Sequence, residues 1–170
     1  MRFFFYLKGL RNMQIRIIHD EIRPTVKTFF ITHWGSSTMV VSTGVYHCDQ
    51  LEGFYVMDEE EIIGLVTYRI KQQEVEIISL DCIYEGKGIG SALLNRVEEV
   101  AKTYQLQKIS LITTNDNLHA IRFYQKRGYR VTEIRLDAVK RARLIKPTIP
   151  LFSTDQIAIQ DEWLLEKSLN

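Results

Sequence analysis

YEGKGIGSALLNRVEEVA, residues 84–101, sets Gly86, Gly88 and Gly90 at alternate positions and then runs without a break into a patterned helix. Glycine in a regular element costs about 0.5–1 kcal/mol relative to alanine, so this cluster needs an offsetting use. Downstream, Ile89, Leu93, Val97, Val100 and Tyr104 follow at spacings of four, four, three and four, which predicts one apolar helical stripe. Upstream, residues 54–57, 62–70 and 74–82 read as strands joined by the polar connections DEEE and KQQ, an antiparallel meander. A strand that ends, a loop of little bulk and a helix that starts at once leave successive backbone N–H groups pointing into one concavity. That concavity sits at a positive helix end and suits phosphate or pyrophosphate. The glycines let such a group approach the backbone closely.

Two other glycine signatures are excluded. The string G-x-x-x-x-G-K-S/T does not occur. In a G-x-G-x-x-G reading, Leu93 stands where the third glycine belongs, and a meander precedes it instead of a βαβ unit.

Outward from this stretch, residues 14–18 (QIRII) read as a strand. Residues 22–34 read as a helix, with Pro24 in its first turn and Gly35 as its stop. Residues 35–53 have no clear period and are expected to form a loop or an irregular strand. Residues 108–113 read as a strand. NDNLHAIRFYQKRGY opens with capping residues and runs as a helix to Arg127, with Gly128 placed for a left-handed C-terminal residue. Strands are expected over 129–135 and 163–166. Between them, 136–160 carries Lys140, Arg141, Arg143, Lys146 and two prolines, read as a solvated basic face that could also receive phosphates or an acidic acceptor. The fold class is therefore α/β: one domain, 13–170, with a mixed, mostly antiparallel sheet flanked by helices. Residues 1–12 (MRFFFYLKGLRN) are read as an N-terminal extension, because Met13 directly precedes the first strand.

Composition narrows the function. The chain of 170 residues is 45% hydrophobic and 25% charged, ordinary for a globular domain. With 22 basic and 21 acidic side chains the net charge is +1, so there is no electrostatic footprint for nucleic acid. No apolar run is long enough to cross a membrane. The two cysteines, Cys48 and Cys82, fit neither a disulfide framework nor a zinc pattern. The four histidines form no ligand spacing, so no metal is expected. Reduced thiols point to the cytoplasm.

EGKGIGSALL, residues 85–94, resembles the acetyl-CoA loop of the GNAT acetyltransferase superfamily, Gln/Arg-x-x-Gly-x-Gly/Ala. Gly88 and Gly90 match, whereas Glu85 stands where glutamine or arginine is usual. NLHAIRFYQKRGY, residues 117–129, is similar to that family's Asn-x-x-Ala-x-x-Phe/Leu-Tyr-x-Lys/Arg-x-Gly-Phe/Tyr segment. The resemblance implies an N-acetyltransferase with acetyl-CoA as co-substrate, a small-molecule or peptide amine as acceptor, and direct attack in a ternary complex; a homodimer is left open. It further implies cofactor contacts from Cys82, Gly86, Lys87, Gly88, Ile89, Gly90, Ser91, Asn117 and Tyr124. Acyl transfer from a thioester to an amine needs a base for the amine, donors for the carbonyl oxygen and an acid for the leaving thiolate. By resemblance, Tyr124 is the acid. Glu76, six residues before Cys82 on an apolar strand, is the preferred base, its pKa expected to be raised by burial. Asp81 is the rival, expected on the other strand face by the two-residue period. A module that binds acyl-CoA without turnover is the alternative to the enzyme.

Overall fold

A computed structural model describes residues 13–169; the expected N-terminal extension, 1–12, lies outside the described residues. In chain order the elements are β1 (Ile15–Ile17), α1 (Arg23–Trp34), β2 (Thr38–Val41), β3 (Gly44–His47), β4 (Glu52–Asp58), β5 (Glu61–Lys71), β6 (Glu74–Cys82), α2 (Ile89–Thr103), β7 (Lys108–Thr114), α3 (Leu118–Gln125), β8 (Arg130–Arg135), α4 (Ala138–Ile145) and β9 (Glu162–Ser168). Seven strands form one sheet in the order β1-β4-β5-β6-β7-β9-β8, and β2-β3 is a separate hairpin. Within the sheet only β6 and β7 pair in parallel.

The sheet is covered on both faces. On one, α2 lays down Ile89, Leu93, Leu94, Val97 and Ala101 against Val66, Val75, Ile77, Leu111 and Leu165, with Tyr124 of α3 beside them. Burying a leucine as fully as Leu93, at 0% exposure, contributes about 1.5–3 kcal/mol. The stripe turns inward at Ala101 and leaves Tyr104 exposed. On the other face, α1 buries Val26, Phe29 and Phe30 against Tyr55, Leu65 and Ile78, joined by Tyr46 of the hairpin. Helix α1 stops where glycine allows it: Gly35 takes φ 72° and its N–H donates to the Ile31 carbonyl at 2.9 Å.

Two segments differ from the expectation. Residues 35–53, expected as a loop or an irregular strand, hold two regular strands, the β2–β3 hairpin in register from Thr38↔His47 to Val41↔Gly44, and a 3₁₀ turn. Residues 136–160 hold α4, and the basic patch is only partly solvated. Arg143 donates to the carbonyls of Ile149, Pro150 and Ile159, and Lys146 Nζ to the Thr38 carbonyl at 2.7 Å. Those two cations are committed to backbone oxygens, while Lys140 and Arg141 stay exposed. Helix α3 ends at Gln125, two residues short of the expected Arg127, and Gly128 takes φ 87° as anticipated.

Candidate active site

The centre of the sheet opens into a wedge. β6 and β7 pair only from Glu74↔Lys108 to Ile77↔Leu111. Beyond that, β6 stays bonded to β5 as far as Cys82↔Gly64, and β7 stays bonded to β9 as far as Thr114↔Glu162. Each strand keeps its outer partner and loses its inner one. The inner edges past Ile77 and Leu111 therefore carry ladder groups without a mutual partner, the kind of edge that accepts an extended amide-bearing ligand.

The glycine stretch closes one end of this wedge. Gly86 and Gly88 take φ 70° and 80°, and a Cβ built at either meets nothing within 4 Å. These glycines thus supply left-handed backbone beside open space. The first amide of the run that bonds within the chain is that of Ala92, to the Gly88 carbonyl at 3.0 Å. The amides of 86–91 are left as donors at the start of α2. Gly90 serves packing instead: a Cβ there would lie 3.3 Å from Cys82 Sγ and 3.4 Å from Phe123. Arg127, from the turn after α3, stacks 3.7 Å over the Phe123 ring and donates to Ser91 Oγ, adding a cation beside the first turn of α2. Glu85 faces His119, Oε2 to Nε2 3.8 Å, both exposed. Lys87 is exposed.

Helix α3 carries Tyr124 into the same region. Asn117 caps it, its Oδ1 accepting from Ala120 N at 3.1 Å. Tyr124 is 5% exposed, edge-on to Phe123 and Tyr129 with ring centroids at 5.1 and 5.3 Å. Its hydroxyl has no hydrogen-bond partner among the described residues. Burial, then the nearby Asp81 and Cys82, push its pKa well above the ordinary tyrosine range and keep the phenol protonated. Burial also raises the Cys82 thiol to about 11, with Asp81 and Glu85 adding to it, so Cys82 is no thiolate nucleophile.

The two carboxylates have different surroundings. Glu76 is 3% exposed and fully engaged: Thr43 Oγ1 donates to it at 2.6 Å, Arg69 Nε at 2.7 Å and Arg69 Nη2 at 2.6 Å. Asp81 accepts one hydrogen bond, from Trp34 Nε1 at 2.9 Å, and its other oxygen is closed to solvent with no donor. Burial raises Asp81 to about 7, against a smaller lowering by the indole. The two-residue period had set them on opposite faces. A bulge overturns this: Thr67 pairs with Ser79 but Tyr68 with Ile77, so Ile78 is one residue too many. Five residues apart, Glu76 and Asp81 then lie on the one face covered by α1 and the hairpin.

A third carboxylate, unremarked in the sequence, completes this side. Glu162 is 1% exposed and accepts from Ser42 N at 3.1 Å through both oxygens. With Thr43 on Glu76 and Arg135 Nη1 on Ser42 Oγ at 2.6 Å, the hairpin tip is clasped onto β6, β8 and β9. No sequence signal marks Trp34, Ser42 or Glu162, because their partners lie 47 and 120 residues away.

The sequence pattern of the acetyltransferase (GNAT) family matches residues 19–129. The chain belongs to the GNAT acetyltransferase family. It is 50% identical over 148 residues to YxbD of Bacillus subtilis, covering 86% of this chain and 93% of that one. It is 22% identical over 133 residues to the Bacillus subtilis spermine/spermidine N(1)-acetyltransferase, covering 69% and 88%. Among solved structures, an IAA acetyltransferase from Bacillus cereus superposes with a TM-score of 0.71 at 22% identity, covering 93% of this chain and all of the other. A GNAT acetyltransferase from Elizabethkingia anophelis with acetyl-CoA bound gives 0.66 at 21%, covering 93% and 99%. These structural likenesses show the GNAT fold, in agreement with the expected mixed sheet.

In this GNAT chain the residues singled out from sequence fall into two groups. Cys82, the run 86–91, Asn117 and Tyr124 converge on the wedge and its glycine end. Glu76 sits under the hairpin, bound to Arg69. Open space over left-handed glycines, unpaired amides and an unpaired strand edge together fit a long ligand with a phosphate end and an amide-bearing arm, as acetyl-CoA has. Among the described residues no group of three His, Cys, Asp or Glu side chains is placed to hold a metal ion.

Proposed function

We propose that this GNAT chain transfers an acetyl group from acetyl-CoA to a primary amine by direct attack in a ternary complex. The observation that carries the reading is the wedge between β6 and β7, which ends on the unpaired amides of 86–91. Those amides would hold the pyrophosphate, with Arg127 adding positive charge and Lys87 at the rim. The inner edge of β6 near Cys82 would hold the arm and supply donors to the acyl oxygen, and Asn117 would meet the arm from the cap of α3. Acetyl-CoA supplies an acetyl thioester, activated toward attack by nitrogen.

The chain's own work is proton handling. Tyr124 is the acid proposed for the departing sulfur. Its phenol is protonated, unpartnered among the described residues and next to Cys82, so it is free to give a hydrogen bond, and then its proton, to the sulfur as negative charge builds there. For the base we favour Asp81 over Glu76. Glu76 has both oxygens occupied and an arginine as its counter-ion. Asp81 has one oxygen unshared and ionises near neutrality, the range in which a base is most effective. A protonated aliphatic amine is the acceptor class that needs such a group, and the distant spermine/spermidine relative makes polyamines the first acceptors to try.

The test is a panel of primary amines, polyamines and short peptides with acetyl-CoA, read by release of free thiol. Amine-dependent release with saturation in both substrates supports the reading. Tight acetyl-CoA binding without release for every amine would instead identify a binding module.

A further inference from the structure

Trp34 is the last residue of α1, which ends there because Gly35 is left-handed. Its ring lies edge-on to Phe30 at 6.2 Å, and it stays 44% exposed at the helix end. From this position the indole N–H reaches across to β6 and donates to Asp81 Oδ1 at 2.9 Å. Among the described residues it is the one hydrogen bond the carboxylate receives, and Oδ2 is left without a donor and closed to solvent. Asp81 lies past the point where β6 leaves β7, and the bulge at Ile78 turns it toward α1.

The other titratable groups around Asp81 come from each packed element: Cys82 beside it on β6, Tyr124 on α3 and Cys48 in the turn before β4. Lys146 and Asp49 act on Cys48, and Glu85 on Cys82. None of these gives Asp81 a hydrogen bond or an ion pair. Among the described residues the indole alone pins its rotamer by a hydrogen bond, and it opposes the burial that raises its pKa.

We infer that Trp34 is a positioning residue for the base: its N–H pins Oδ1 of Asp81 and leaves Oδ2, buried and without a donor, to take the acceptor's proton once the binding acceptor opens a path to it. A carboxylate free to turn about its last torsion would present either oxygen. Hydrogen-bonded on one side, it presents one. The proton leaves the acceptor's ammonium nitrogen and goes to Oδ2; the electron pair it frees stays on nitrogen for attack. The inference rests on the acetyltransferase reading, and its consequence is that the C-terminal end of α1 governs the base.

The experiment has two arms. In the first, the indole ¹H–¹⁵N resonance of Trp34 is followed from pH 5 to pH 9 in the intact protein. It is assigned by its loss in Trp34→Phe, which leaves only Trp163. The resonance should shift with a midpoint near 7, the value to which burial raises Asp81, and should not shift in Asp81→Asn. A flat Trp34 resonance in the wild type overturns the pairing whether or not the protein has activity. In the second arm, Trp34→Phe removes the N–H together with the pyrrole half of the indole and keeps an aromatic ring beside Phe30. Losing a bond to the charged form raises the carboxylate's pKa. The acid limb of kcat/KM should move up by about one pH unit, with activity falling about fivefold at pH 7, about tenfold at pH 5 to 6, and recovering toward pH 9. KM for acetyl-CoA should stay as it was. An unshifted acid limb in Trp34→Phe overturns the positioning role even if the resonance titrates. If no amine is turned over at all, the acetyltransferase reading fails and the catalytic meaning of the pair fails with it, while the titration still reports whether the pair exists.

Discussion

Replacing Asp81 by asparagine should shift stability in favour of the variant, increasingly so as the pH rises from 5 to 8. Burial raises the Asp81 pKa from 3.8 to about 7 in the folded state. Below pH 3.8 the group is protonated in both states and costs nothing. Between 3.8 and 7 the unfolded chain releases the proton while the folded chain keeps it. Stability therefore falls with rising pH through this window and levels off above 7. Each pH unit is worth about 1.36 kcal/mol, so the full penalty above pH 7 approaches about 4 kcal/mol, an upper bound. Asparagine carries no such term. Its own fixed cost, from an amide in a site made for a carboxylate, does not depend on pH and cancels when two pH values are compared. From pH 5 to pH 7 two units remain, so the stability difference between Asp81→Asn and wild type should grow by about 2–3 kcal/mol between pH 5 and pH 8. Urea unfolding at pH 5, 6, 7 and 8, extrapolated linearly to water, reads this difference directly. Curves that run parallel across that range would refute the raised pKa and the argument that Asp81 is a near-neutral base.

Three further outcomes are expected. Gly88→Val places a side chain in the open cradle at φ 80°; calorimetry should show CoA affinity reduced at least about 100-fold, against a strain cost to folding of about 1–2 kcal/mol. Tyr124→Phe keeps the buried ring and loses only the hydroxyl, so turnover should fall about 100-fold while CoA affinity changes little; full activity would leave Tyr124 as core alone. Glu76→Gln breaks the pair with Arg69 and should cost about 1–3 kcal/mol in urea unfolding, with kcat changed less than about tenfold; a loss of 10²–10⁴-fold in kcat, the usual range for a lost base, would return that role to Glu76.

What could be read from the sequence was what depends on neighbours along the chain. The glycine run, the helix stripe from Ile89 to Val97, the Asn117 cap and the left-handed Gly128 are each specified within a few residues, and each stands where the pattern set it, while the last stripe position, Tyr104, lies past the helix end and is exposed. The parts that were not legible depend on distant partners. The β2–β3 hairpin has two strands of four residues, and its tip is held by Glu76 and Glu162, far away in sequence. Helix α4 has eight residues and buries only Ala138, Val139 and Ala142, too small a stripe to stand out beside its basic residues. The bulge at Ile78 adds one residue to one strand, which no side-chain type announces, and it reverses which face Asp81 occupies. In sequence Glu76 stands as a lone carboxylate on an apolar strand, because Thr43 and Arg69, which bind it, lie 33 and 7 residues away.

The central claim, that this site moves an acetyl group from sulfur to nitrogen, is tested most directly by ¹³C NMR of the protein mixed with acetyl-CoA labelled at the acetyl carbonyl and with spermidine or another primary amine. The thioester carbonyl signal should be replaced by an amide carbonyl signal, at a rate that falls about 100-fold in Tyr124→Phe. A thioester signal that persists with every amine, or that gives way to free acetate or an ester, would contradict it.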